Sequence, residues 1–327
     1  MKKTILAVVI PALFAASANA AVVYDKDGSS LAVTGRVKAN FYNDAAGEES
    51  SSTIKGDSRL GIKASVALTD SINAIARTEW QVSAENSDES KFKARHIYVG
   101  VDAADYGNIV FGQTDTAFYD VVGATDVFNE WGSYGNSYWG YRDGAPNFGG
   151  RMEGQAVYHV TYGGLTGGLS YISADDAKNL DYGYAASLGY AFDYGLGFGV
   201  AAQKFNSKNG LADQQDWALS ATWGSYGEGL YLAGLYNQSE QDEAITGDKQ
   251  EIKGYEFAAV YSMENNWGFL AGYNFSKNDD TDTDLTDEFL VGTMYNFTGN
   301  FFAYGEYVID QLDGADDKWT LALQYNF

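Results

Sequence analysis

Lys318-Trp319-Thr320-Leu321-Ala322-Leu323-Gln324-Tyr325-Asn326-Phe327 places large apolar side chains at 319, 321, 323, 325 and 327 and smaller or polar ones between them. A period of two is the signature of a β-strand with one apolar and one polar face. The same alternation recurs upstream. Trp217, Leu219, Ala221 and Trp223 oppose Ala218, Ser220 and Thr222; Tyr255, Phe257, Ala259 and Tyr261 oppose Glu256, Ala258, Val260 and Ser262; Leu60, Ile62, Ala64, Val66 and Leu68 oppose Arg59, Gly61, Lys63, Ser65 and Ala67. No segment sustains a 3.6-residue period. Sixteen strands are predicted, at 30–43, 56–69, 71–84, 91–103, 107–114, 150–162, 165–173, 182–193, 195–206, 214–226, 228–238, 251–264, 267–277, 285–297, 300–309 and 317–327.

The connections fall into two alternating sets. Seven are tight, such as Thr69-Asp70-Ser71, Tyr162-Gly163-Gly164 and Asn265-Asn266, with the Gly, Asn and Asp that hairpin turns require. Eight are longer and carry much of the acid: Glu48 and Glu49, Glu85, Asp88 and Glu89, Asp175 and Asp176, Glu240, Asp242 and Glu243, Asp279, Asp280, Asp282 and Asp284, and Asp313, Asp316 and Asp317. Tight turns on one side and long loops on the other predict an all-β fold, a 16-stranded antiparallel transmembrane barrel. A propeller would divide the same length into shorter strands. A soluble sandwich has no use for Trp and Tyr near the strand ends of its apolar face, where membrane girdles place them.

Composition narrows the chemistry. The chain has 327 residues, 44 Asp and Glu against 21 Lys and Arg, no Cys and two His. That excludes disulfides, thiolate nucleophiles and CxxC metal sites, and a net charge of −23 argues against nucleic acid as a partner. Lys2 and Lys3, the apolar run Ile5 to Phe14 and Ala18-Asn19-Ala20 read as a cleaved leader over 1–20, leaving 21–327 as the exported barrel. The apolar run is too short to span as a helix.

One connection departs from the pattern. Residues 115–149 exceed the ~12–15 residues usual for an unstructured loop, and they hold nine aromatics: Phe118, Tyr119, Phe128, Trp131, Tyr134, Tyr138, Trp139, Tyr141 and Phe148. Such a segment must pack on something, and the lumen of a large barrel is the available place.

With these features the chain resembles the Gram-negative general diffusion porins, trimeric sixteen-stranded outer-membrane barrels whose third external loop folds into the pore. The carriers are VYDKDG, LAVTGRVKANFY, DSRLGIKASV, RHIYVGV, FGQTDTAFYDVVGATDVFNEWG, GRMEGQAVYHVTY and the terminal LQYNF, in that order along almost the whole chain. The resemblance implies a constriction in which loop carboxylates face a basic ladder. Asp126 and Glu130 match the acidic pair, with Asp120 as a third member, and Arg36, Arg59, Arg95 and Arg151 match the ladder. Parity adds Arg77 and Lys63 on lumen faces, whereas Ile97, Val99 and Val101 share the parity of Arg95. The loop departs from the family at Asn129, Ser133 and Tyr134, where Pro, Gly and Asp are usual.

The function expected is passive diffusion of ions and small hydrophilic solutes across the outer membrane, with weak cation preference from the acidic loop mouths. The alternative is a solute-specific or plugged barrel used mainly for surface attachment. Expected partners are two further copies in a homotrimer and outer-membrane lipid, including lipopolysaccharide. No enzyme activity, cofactor or metal is expected. Asp280, Asp282 and Asp284 begin like a calcium loop, but Leu285 stands where Gly is needed. Gly195-Leu196-Gly197-Phe198-Gly199 has no helix after it to bind phosphate, and no nucleophile motif accompanies His159.

Overall fold

The computed structural model describes residues 20–43, 52–83, 91–140, 148–208, 212–242 and 249–327. The leader expected at 1–20 lies outside these residues except for Ala20, as do Glu48, Glu49, Glu85, Asp88, Glu89, Tyr141 and Glu243. The strands in chain order are β1 (Ala21–Lys26), β2 (Ser29–Asn43), β3 (Ser52–Ala67), β4 (Asn73–Ser83), β5 (Lys91–Asp102), β6 (Asn108–Asp115), β7 (Arg151–Tyr162), β8 (Leu165–Ile172), β9 (Leu180–Ala191), β10 (Leu196–Ser207), β11 (Gln214–Ser225), β12 (Glu228–Asp242), β13 (Lys249–Ser262), β14 (Trp267–Asn278), β15 (Thr283–Asn296), β16 (Phe301–Asp310) and β17 (Lys318–Asn326). Each pairs antiparallel with the next, and β17 pairs with β2, so the sixteen strands β2 to β17 close a barrel.

The additional strand is β1, which the alternation did not reveal because Ala21-Val22-Val23-Tyr24 is a continuous apolar run. The missed signal is the turn. Asp27 and Gly28 both have positive φ, 54° and 74°, as a two-residue hairpin turn requires. The hairpin lays β1 along the first residues of β2, from Val33 to Ser29, while β17 takes the remainder from Arg36 to Asn43. At the handover the Gly35 N–H donates to the Phe327 carbonyl at 2.7 Å, and the Phe327 N–H donates back at 3.0 Å.

Alternation orients the wall. On the outer face Trp217, Tyr236, Tyr255 and Phe275 contact one another across β11 to β14, with ring centroids 5.0 to 6.4 Å apart, toward the long-loop ends of these strands. Trp267 and Tyr295 pair at 5.0 Å near the short turns. These rings form aromatic belts at both ends of an apolar outer surface, the arrangement that headgroup regions favour. On the inner face β9, β10 and β11 present Ala185, Ala201 and Ala218, leaving room inside the barrel.

Closure depends on the absence of a side chain at Gly35. A Cβ there would stand 2.3 Å from the Arg59 carbonyl oxygen and 2.6 Å from the Phe327 ring. Gly35→Val is expected to prevent β17 from reaching β2, so the heat-modifiable folded band on unheated gels is lost. An unchanged band would show that the seam closes by another route.

Candidate functional site

The long connection between β6 and β7 turns into the lumen and packs on its wall. Its first turn is α1 (Tyr119–Val122), continued by a 3-10 turn over Gly123–Thr125. Ala117, Phe118, Val121 and Val122 bury against Ala185, Ala201, Ala218 and Leu235, so the small inward residues of β9 to β11 form the seat of the loop. Ala124, Val127 and Phe128 continue onto Tyr231, Ala233, Ala258 and Leu270. Gly254 is needed farther along, because a Cβ at this residue would lie 1.7 Å from the Gly135 carbonyl oxygen.

Two wall carboxylates hold the loop backbone. Glu256 is fully buried and accepts from the Gly135 N–H at 2.9 Å, the Asn136 amide at 2.9 Å and the Thr125 hydroxyl. Glu306 accepts from the N–H groups of Asn129 at 2.7 Å and Glu130 at 3.1 Å. Asn237 accepts from the Ser137 N–H at 3.0 Å. These anchors were not singled out from the sequence. Their signal is a carboxylate or amide at lumen parity beneath an aromatic-rich loop whose backbone must find partners.

The loop leaves a cavity of about 510 Å³ against β2 to β7, lined by Arg36, Arg59, Arg77, Arg95 and Arg151 and by Glu79, Asp115, Asp126 and Glu130. Arg36 and Arg59 are cross-strand partners. Like charges placed so are destabilising unless something else selects them. Four of the arginines have carboxylate partners: Arg36 meets Asp57 at 3.0 Å, Arg77 and Arg95 share Glu79 at 2.6 and 2.7 Å, and Arg151 meets Asp115 at 3.3 Å. Arg59 has no carboxylate at ion-pair distance among the described residues.

Arg95 reaches this cavity through a β-bulge. Glu79 is paired with His96 and Trp80 with Ala94, so Arg95 is an extra residue and both Arg95 and His96 point inward. Beyond it Ile97 and Val99 are exposed on the outer face. The shared parity of Arg95, Ile97, Val99 and Val101 therefore does not mean a shared face.

The expected acidic residues separate. Asp126 lies in the cavity and accepts from the Tyr119 hydroxyl at 2.7 Å. Burial raises its carboxyl above the ordinary carboxylate range, opposed by that hydrogen bond and by Arg151. Glu130 crosses to the wall, where Lys38 and Asn40 each donate to it at 2.6 Å and Tyr304 at 3.3 Å. Lys38 is thus a cation of this site that the expected basic ladder did not include. Asp120 does not join the cavity. The one-turn helix aims Tyr119 toward Asp126 and Asp120 toward the wall, where it is 3.1 Å from His159 and accepts from Ser187 at 2.6 Å. Lys63 also lies apart, cross-strand from Arg77 on the short-turn side of Arg59.

A closed sixteen-stranded barrel with a loop pinned inside it and an arginine wall facing that loop matches the family comparison, in which the Gram-negative porin model covers residues 6–315. The chain belongs to the Gram-negative porin family. Similar proteins include outer membrane porin F of Escherichia coli K12, 28% identical over the full length of both chains, and outer membrane protein F of Serratia marcescens, 30% identical over 97% of this chain and 94% of that one. Among solved structures, Salmonella typhi OmpF in complex with daunomycin superposes with a TM-score of 0.80 at 19% identity, covering 94% of this chain and all of that one. An anion-selective porin from Comamonas acidovorans gives 0.73 at 17%, covering 91% and 100%. The porin is thus an outer-membrane channel, and the connection between β6 and β7 lies inside its barrel.

Gly254 tests the seating of that loop without touching a charge. In the porin Gly254→Val is expected to leave the barrel folded while the loop lifts, raising open-channel noise and changing single-channel conductance. Conductance and noise identical to wild type would mean that the Gly135 contact is dispensable.

Proposed function

We propose that the porin is a passive, weakly cation-selective diffusion pore in each subunit of a homotrimer, admitted to the outer membrane after removal of residues 1–20, and that the cavity between Asp126, Glu130 and the arginine wall is its selectivity-setting constriction. The observation that carries this reading is charge balance. Arg36, Arg77, Arg95 and Arg151 each have a carboxylate within ion-pair distance, and Lys38 has Glu130. The wall is therefore rich in charge without a large excess of one sign. Opposed fixed charges across a narrow waterway orient dipolar solutes and disfavour apolar ones that would have to shed ordered water.

Net preference then comes from the rim. Exposed acids of the long loops, Asp176, Asp280, Asp282 and Asp316 among them, concentrate cations over a Debye length of about 8 Å at physiological ionic strength. The same carboxylates are suited to divalent-cation bridges with lipopolysaccharide phosphates. The solved structures with this fold include one described as anion-selective, so side chains rather than the barrel must set the sign. Asp120 and Lys63, which lie outside the cavity, are assigned no part in it.

The test is single-channel conductance and reversal potential in a planar bilayer under a KCl gradient, for wild type and Asp126→Asn/Glu130→Gln. The wild type is expected to conduct in threefold steps with a cation-favouring potential that shrinks at high salt. In the double variant Lys38 loses the nearer of its two carboxylates, keeping Asp57 at 3.8 Å, and the potential moves toward anions. A folded barrel without conductance would support a plugged or adhesive barrel instead. Normal conductance with an unmoved potential would remove the two loop carboxylates from the selectivity mechanism.

A further inference from the structure

His96 is an imidazole in the wall of a pore rich in fixed charge, and only 2% of its surface is exposed. The bulge at Arg95 turns it inward, between β4 and β6. Its Nε2 lies 3.3 Å from the Arg151 Nε, and its Nδ1 lies 3.0 Å from the Thr114 hydroxyl. The arginine nitrogen can only donate, so Nε2 must accept, and the ring proton must sit on Nδ1 and be donated to Thr114. The two contacts together define one tautomer of a neutral ring. The guanidinium so held lies 4.7 Å over the ring of Trp139, a residue of the loop, and its Nε is also 3.3 Å from Asp115.

We propose that His96 is a positioning residue for Arg151: as the neutral Nδ1–H tautomer it accepts from the guanidinium and keeps it against Trp139, and when protonated it releases it toward the waterway. Protonation would place an N–H opposite an N–H and two cations in contact. The partner left to the protonated ring is set by the groups facing it. Asp115 on β6 is 3.8 Å from Nε2 and is the acceptor an imidazolium would take, in competition with Arg151. The Tyr138 hydroxyl of the loop already donates to Asp115 at 2.7 Å. Arg77 and Glu79 on β4 and Arg95, the neighbour of His96 on β5, complete the surroundings, with Glu79 engaged by both arginines. Proton binding therefore adds one positive charge and frees a second, shifting the pore toward anions as pH falls.

The effect on current rests on the constriction reading above; the state of the ring does not. Full-length protein carrying ¹⁵N-histidine has only two imidazoles to distinguish, and the signal lost in His96→Gln assigns the ring. At pH 7 the expected spectrum is a neutral ring protonated on Nδ1, with Nε2 shifting in Arg151→Gln. An Nε2–H tautomer or an imidazolium at pH 7 overturns the proposal even if the channel behaves as a porin.

In bilayers His96→Gln, whose amide can accept from Arg151 and donate to Thr114, is expected to retain the wild-type permeability ratio at pH 7. His96→Leu is expected to move it roughly twofold toward anions. On acidification the wild type should shift toward anions to the His96→Leu value and, through the charge of the protonated ring, beyond it, whereas His96→Gln shows only the drift that rim carboxylates impose on every variant. A His96→Leu pore indistinguishable from wild type, or equal acid responses in wild type and His96→Gln, overturns the positioning role. If His96→Leu does not fold, the comparison of wild type with His96→Gln still decides. A wild type that does not conduct would sink the diffusion reading while leaving the spectroscopic result intact.

Discussion

A β-sheet in a bilayer has no water with which to satisfy its edge, so every N–H and C=O of the spanning strands must find a partner within the protein. The other features of this porin derive from that requirement. It forces β17 onto β2 and gives the seam at Gly35 and Phe327 a strict steric condition. Once the sheet is closed, alternation assigns each side chain to lipid or lumen. The outer face can then be apolar and aromatic at its ends, and the inner face is left to hold whatever the channel needs.

Inside, the same accounting applies to the loop. A segment threaded through the lumen carries its own backbone donors away from bulk water, and Glu256, Glu306 and Asn237 receive them. Buried carboxylates are costly unless several donors converge on them, so each anchor and each stretch of loop justifies the other. The alanines of β9 to β11 serve apolar contact in the same way, by leaving volume that α1 fills. The cavity between loop and wall is consequently built from both sides: the loop brings Asp126 and Glu130, and the wall brings the arginines together with Glu79, Asp57 and Asp115.

Much of this was legible in the sequence because period two is a strong local signal. The sixteen predicted strands match β2 to β17 in order, and the loop was located by its length and its aromatics. Short-range readings failed where the signal was of another kind. β1 was hidden in an apolar run and betrayed only by Asp27-Gly28. Asp120 shares the loop with Asp126, but which way a one-turn helix aims each residue depends on tertiary packing. Lys38 and Glu130 meet across 92 positions of sequence, a contact that no window of residues contains. The anchors Glu256 and Glu306 carry meaning only once the loop is known to lie on them.

The bulge in β5 has a consequence for how this strand tolerates change. Counting from Phe92, inward positions are 93 and 95; after the extra residue they become 96, 98 and 100. A substitution scan along the strand would therefore break step between Arg95 and His96, with polar replacements accepted at odd numbers before the break and at even numbers after it. Deleting one residue at the bulge would erase that break and leave both halves facing as they do, at the cost of one of the two inward side chains, Arg95 or His96, whereas straightening the strand with every residue kept would turn one half over and present either Lys93 to lipid or Val99 to water.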